Sequence, residues 1–264
     1  MRSFRIFIAL ICLGLTGLLT EAFITIKNKD IDNSTVGKGF AVVELFTSEG
    51  CSSCPPADEL VAKVQKESAD NPVYILAFHV DYWNRLGWKD VFSNHDYSSR
   101  QYHYSKWLNS QVYTPQVIVN GRTEFVGSDE KSLRSAIKTG LEKPAKTELS
   151  LNNIKVEGDK ATIQYHADGV NNNSELLIAL IEKNAVSKVK SGENGGRTLA
   201  HVQIVTQLKS IALKSNANGI ESIALPHGFD RQKFELTGFV QNTANGEITG
   251  ATKAEFPSSV SAKL

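Results

Sequence analysis

Cysteine is scarce in this chain: only Cys12, Cys51 and Cys54 occur in 264 residues. Charge of one sign is not in excess either, with 29 Lys and Arg against 28 Asp and Glu and a formal net charge of +1. That balance leaves no electrostatic footprint for nucleic acid or for an anionic membrane surface. There is no run of like charge and no internal repeat. What remains is an ordinary globular composition, 41% hydrophobic and 22% charged, with length for one or two domains and ample material for a core.

The start of the chain is of another class. Arg2 and Arg5 precede Ile6 to Leu19, which is almost unbroken apolar sequence. A membrane-spanning helix needs about 20 such residues, so the run fits the apolar region of a secretory signal peptide over residues 1–22, with Thr20-Glu21-Ala22 placing cleavage after Ala22. Cys12 follows the bulky Ile11 inside the run, which argues against a lipoprotein signal. The expectation is a periplasmic or secreted protein, held at a membrane only if the segment is an uncleaved anchor. Removing it deletes Cys12 and leaves one pair, Cys51 and Cys54, in an oxidising compartment. A bridge closing so small a loop stabilises a fold little. The pair is therefore expected to serve chemistry.

Beyond a polar arm over residues 23–38, Phe40 to Thr47 reads as a buried strand. Ala57 to Ala69, with Leu60, Val61 and Val64 at helical spacing, reads as an amphipathic helix, and Tyr74 to Val80 as a second strand. An aromatic, polar insertion over residues 82–112 follows, with a helix from Tyr97 to Leu108. Gln116 to Asn120 and Thr123 to Val126 flank Asn120-Gly121 as a hairpin, and Lys131 to Leu141 is a helix capped at Ser128. This order predicts an α/β unit over residues 39–143. From residue 147 to 264, short strands separated by turns predict a second, β-sandwich-like domain.

Cys51-Ser52-Ser53-Cys54 stands between the first strand and the first helix. The free N–H groups and dipole of a helix start favour an anion, so a thiolate there is stabilised and is the nucleophile. Cys51 is the expected attacking thiol, and Cys54 the resolving thiol that releases the substrate from a mixed disulfide. Pro55 and Pro56 suit the first helical turn. Glu49 opposes this, because a nearby carboxylate raises a thiol pKa. Thr114-Pro115, opening a strand after the insertion, is expected to be a cis peptide.

These features resemble the thioredoxin fold, in which the cis-proline lies beside the dithiol and the residue before it pairs with the substrate chain; the resemblance casts Thr114 and Pro115 as substrate-binding. More narrowly, the chain is similar to the secreted DUF1223 family. The likeness is carried by Val43-Glu44-Leu45-Phe46-Thr47-Ser48-Glu49-Gly50-Cys51-Ser52-Ser53-Cys54-Pro55-Pro56, by His79-Val80-Asp81-Tyr82-Trp83 with Leu86-Gly87-Trp88-Lys89-Asp90, by Tyr113-Thr114-Pro115-Gln116, and by Gly192-Glu193-Asn194 with Gly196-Arg197-Thr198-Leu199. The family implies a fold and a dithiol, and no established substrate. The Ser-Ser pair between the cysteines departs from usual thioredoxins, so no redox potential carries over. Glu44 lies near the place of the buried acid that relays protons to the second thiol in thioredoxins; the alternative is that it points outward on its strand. His79 and Asp81 share a strand face by alternation and, with Tyr82 and Trp83, either line the dithiol pocket or form a satisfied histidine and a surface aromatic cluster.

The expected function is thiol–disulfide exchange with protein or small-molecule thiols, without a cofactor. The alternatives are a binding or adaptor protein with an inert disulfide, and a copper(I) or other metal carrier using the same cysteines, although one Cys-x-x-Cys is a weak zinc signature.

Overall fold

The structure, a computed structural model, describes residues 37–214 and 217–258. The signal-peptide reading, Cys12 and the arm up to residue 36 lie outside the described residues. Strand β1 (Ala41–Thr47) is buried along its whole length. Its alternation divides the core. Ala41, Val43 and Leu45 pack with Leu60, Val61 and Val64 of helix α1 (Pro55–Glu67) and with Leu133 and Ile137 of α3 (Glu130–Glu142). Val42 and Phe46 pack on the opposite side with Tyr97 and Tyr104 of α2 (His95–Leu108). A strand covered on both faces reads as a continuous apolar run, which is how β1 is legible.

Strand β2 (Val73–His79) lies parallel to β1, and β3 (Gln116–Val119) lies antiparallel on its other side. A three-residue connection, Asn120-Gly121-Arg122, joins β3 to β4 (Thr123–Val126); Asn120 and Gly121 take φ of 50° and 64°. Gly121 has no alternative there, because a Cβ would stand 1.8 Å from the Gly246 carbonyl oxygen.

The later strands are β5 (Glu148–Glu157), β6 (Lys160–Asp168), β7 (Ser174–Lys188), β8 (Thr198–Ala212), β9 (Ala217–Ala224), β10 (Phe234–Asn242) and β11 (Ile248–Glu255). Strands β5, β6 and β9 form a three-stranded antiparallel sheet. The others do not form a partner sheet of their own. They continue the first sheet, giving eight strands in the order β11-β10-β7-β8-β2-β1-β3-β4.

This corrects the expected fold class. The chain is not a thioredoxin-like α/β domain followed by a β-sandwich; it is mostly β, with eleven strands and three α-helices among the described residues. The joint is β8, which meets β2 in parallel at Ala77 and Ile204. Leu177, Ala179, Val205 and Phe239 therefore share one core cluster with Phe46, Phe78 and Tyr97. The physical reason is edge pairing. Without β8, the edge of β2 would expose unpaired backbone groups, and apolar alternation tells which face is buried but not which strand covers an edge. The three-stranded sheet packs Leu149, Leu151 and Ile163 against Leu176, Ile178, Leu180 and Leu236 in a second core. No helix among the described residues is long and apolar enough to cross a membrane.

Candidate functional site

Cys51 and Cys54 are joined as a disulfide at the start of α1. Cys54 is the helix N-cap, and Pro55 and Pro56 fill the first two helical positions, where a missing N–H costs nothing. The preceding loop is tight: the Cys51 amide donates to the Ser48 carbonyl at 3.1 Å, and the Cys54 amide to the Cys51 carbonyl at 3.2 Å. Both cysteines are buried, at 1% and 0% exposure.

Three segments close around the bridge. The first is Thr114-Pro115, whose peptide bond is cis; the Thr114 carbonyl oxygen lies 3.8 Å from Cys51 Sγ. The second is Trp83, which donates from its indole N–H to Thr114 Oγ1 at 2.8 Å and stands against Gly50, where a Cβ would meet Trp83 Cβ at 3.1 Å. The third comes from far along the chain. The connection between β7 and β8 brings Asn194, whose Nδ2 donates to the carbonyls of Glu49 and Cys51, both at 2.9 Å. Arg197 fixes the amide by donating to Asn194 Oδ1 at 2.8 Å. Its neighbour Glu193 accepts the Ser52 amide at 2.9 Å, and Ser191 Oγ donates to the Gly87 carbonyl.

Behind the bridge lies a buried polar cluster on the α1 side of the sheet. Thr47, at the end of β1, donates to Asp58 Oδ2 at 3.3 Å. His79 Nδ1 pairs with Asp90 Oδ2 at 2.7 Å, both side chains fully enclosed. Asp90 also accepts the Glu49 amide at 2.9 Å. Glu49 turns inward: its carboxylate accepts the Trp88 indole N–H at 2.6 Å and faces His201 Nε2 at 3.5 Å. The rings of His79 and His201 meet edge to face at 4.9 Å. Glu49 Oε1, His79 Nε2 and both ring nitrogens of His201 are buried without a hydrogen-bond partner.

The carboxyls respond differently. Burial raises the Asp58 carboxyl to about 7, with Asp90 and Glu49 adding repulsion and His201 and Thr47 opposing the rise. Burial also works to raise Asp90 and Glu49, but their partners outweigh it. His79 and two backbone amides hold Asp90 below its ordinary value, and the nearby His201 ring and Ser187 hydroxyl, with the Trp88 N–H, do the same for Glu49. Three enclosed carboxyls thus divide into one poised between acid and anion near neutrality and two held as anions.

Some expected site residues stand elsewhere. Glu44 shares the α2 side of β1 with Val42 and Phe46, away from α1. It does not point outward: Arg100 grips it through Nε at 2.5 Å and Nη2 at 3.0 Å, and Tyr104 donates to it as well. Arg100 donates in turn to Gln241 Oε1 at 3.0 Å, tying β1, α2 and β10 together. Against this anion the Arg100 guanidinium is held well above its ordinary value despite its burial. His79 and Asp81 do not share a pocket: Asp81 accepts from Ser98 Oγ and lies 3.3 Å from His95 Nδ1 at the start of α2. Tyr82 donates to Gln101 at 3.2 Å, and burial lifts its hydroxyl to about 12. Asp58, Asp90, Trp88, His201 and Asn194 were not singled out as a site; Trp88, Asp90 and Asn194 did fall within the quoted family motifs, and that was their only signal. Among the described residues no three His, Cys, Asp or Glu side chains are grouped to hold a metal ion.

No curated protein matches the chain. Protein AGR_C_4864 of Agrobacterium tumefaciens, solved by X-ray crystallography, is 27% identical over 81% of this chain and 93% of that one, with a TM-score of 0.62. HBP35 of Porphyromonas gingivalis shares the fold at 17% identity, covering 83% of this chain and 76% of that one, with a TM-score of 0.59. The model of a family described as a protein of unknown function, DUF1223, matches residues 42–241, which include the dithiol, the cis-proline, the buried cluster and the Asn194 loop. The chain belongs to the DUF1223 family.

Proposed function

We propose that this protein is an exported thiol–disulfide exchange protein, acting on protein or small-molecule thiols and disulfides outside the cytoplasm. The observation that carries the reading is the placement of the bond between Cys51 and Cys54: at a helix N-terminus, 3.8 Å from a backbone carbonyl, and in front of enclosed carboxyls. A thiolate formed at Cys51 on reduction is favoured by the dipole of α1, at whose start it stands. The Glu49 carboxylate is engaged by Trp88 and turned toward His201 instead of being left unpartnered in the dithiol loop.

Exchange then runs in two steps. Cys51 attacks a substrate disulfide and forms a mixed disulfide, and Cys54 attacks Cys51 Sγ and expels the second substrate thiol. The Thr114 carbonyl faces the sulfur at which the substrate is held. Trapping tests this scheme. Cys54→Ser should accumulate a mixed disulfide with glutathione at Cys51 when treated with glutathione disulfide, read by mass spectrometry. Cys51→Ser should accumulate none under the same conditions. Equal labelling of both variants refutes the ordered scheme.

One observation favours a second reading, that of a closed structural disulfide in a binding protein. Both cysteines are almost wholly covered. On that reading neither dithiothreitol nor glutathione opens the bridge in the folded protein.

A further inference from the structure

We infer that Asp58 accepts the proton of the Cys54 thiol during the resolving step, an inference that rests on the exchange reading above. Cys54 and Asp58 are four residues apart, at the N-cap and in the first turn of α1, and the Asp58 amide donates to the Cys54 carbonyl at 3.1 Å. Positions four apart on a helix stack on one face, with Cβ atoms about 5–6 Å apart. Both residues are buried, at 0% and 7% exposure. A buried thiol has no water to take its proton, so an enclosed carboxylate one turn away is the available base. The Asp58 carboxylate receives one hydrogen bond, from Thr47 at 3.3 Å, which leaves lone pairs to accept a proton.

The surroundings hold Asp58 between its two states. The groups bearing on it are Thr47 of β1, His201 of β8, Glu49 of the dithiol loop and Asp90 of the segment before α2, with His79 of β2 acting through Asp90. Burial and the two neighbouring anions favour the acid, while His201 and Thr47 favour the anion. The resulting value of about 7 suits a group that must both take and return a proton near neutrality.

The step balances as follows. The Cys54 S–H bond breaks and its proton passes to the Asp58 carboxylate. The sulfur electron pair forms the bond to Cys51 Sγ, the bond between Cys51 and the substrate breaks, and its electron pair leaves on the substrate sulfur. The dithiol is oxidised by two electrons and the substrate disulfide is reduced. In reverse, an incoming thiolate attacks Cys51, and the Asp58 acid protonates the departing Cys54 sulfur.

Stopped-flow reaction of the reduced full chain with 5,5′-dithiobis(2-nitrobenzoate) separates the two steps. The first nitrothiobenzoate reports attack by Cys51, and the second reports resolution by Cys54. Asp58→Asn should lower the ratio of second to first rate at least about tenfold at pH 7, and Asp58→Glu should restore part of it. Independently of any variant, the second rate of the unaltered protein should rise with pH through an inflection near 7, the value of Asp58. An unchanged ratio in Asp58→Asn, or a second rate in the unaltered protein that follows only an ordinary thiol ionisation, overturns the role of Asp58 while exchange stands. Release of a single nitrothiobenzoate by the unaltered protein overturns exchange itself, and the inference with it.

Discussion

Replacing Glu44 by Gln should cost this fold about 3 kcal/mol without altering the order of thiol reactivity. Arg100 is 8% exposed and donates twice to Glu44. The neutral amide keeps the shape of Glu44 but leaves the guanidinium charge enclosed without its anion. Breaking a buried ion pair from one side typically costs about 3–5 kcal/mol. The lower end applies here, because Gln241 Oε1 still accepts at 3.0 Å and the rings of Phe78, Tyr104 and Phe239 stand 5.0–5.5 Å from the guanidinium carbon. For a chain of this size the loss corresponds to a melting temperature lower by roughly 6–12 °C. Urea unfolding at pH 7, with the disulfide intact, measures it directly. Glu44→Leu combined with Arg100→Leu removes both charges and should lose less than either single change, since no unpaired ion remains. A loss under about 1 kcal/mol in Glu44→Gln, or a double variant whose loss equals the sum of the singles, refutes the reasoning.

Asn194→Ala removes the amide that holds the Glu49 and Cys51 carbonyls. It should lower stability by about 1–3 kcal/mol and make the bridge open faster to dithiothreitol, as followed by alkylation; a slower opening contradicts the covering role of the loop. The pH dependence of stability has two signs. A carboxyl raised in the fold, as Asp58 is to about 7, contributes stability that is full below its unfolded value and lost as pH rises through 7, on the order of 4 kcal/mol at most. Asp90 and Glu49 are lowered, so their contribution is present above their unfolded values and lost on acidification. Urea unfolding between pH 4 and 8 should therefore show a decline toward pH 8 that Asp58→Asn abolishes; an identical decline in that variant contradicts the assignment.

Local elements were legible, and their assembly was not. The strand, helix and hairpin signals of the first half match β1, α1, β2, the β3–β4 hairpin and α3 within a few residues. The later alternating runs became β5 to β11. Period-2 and period-3.6 patterns report burial of a face, and here they did. They carry no information on the partner of a strand edge, so the pairing of β8 with β2 is not legible and the strands of one sheet read as two separate fold types. The dithiol and Thr114-Pro115 were legible because each is a short motif whose chemistry is local. The face taken by Glu44 turns on the parity of β1, with Val43, Leu45 and Thr47 toward α1 and Val42, Glu44 and Phe46 toward α2; the apolar residues alone, lying on both faces, do not fix it. The buried cluster draws Thr47, Asp58, Asp90 and His201 from β1, α1, a loop and β8. A site assembled over so long a stretch of chain leaves no spacing to recognise.

The most direct test of the central claim is the reduction potential of the bridge between Cys51 and Cys54, measured in glutathione buffers with the protein folded. The exchange account predicts a value between roughly −270 and −120 mV, the range of exchange proteins. A value below about −300 mV would mark a structural disulfide and contradict it.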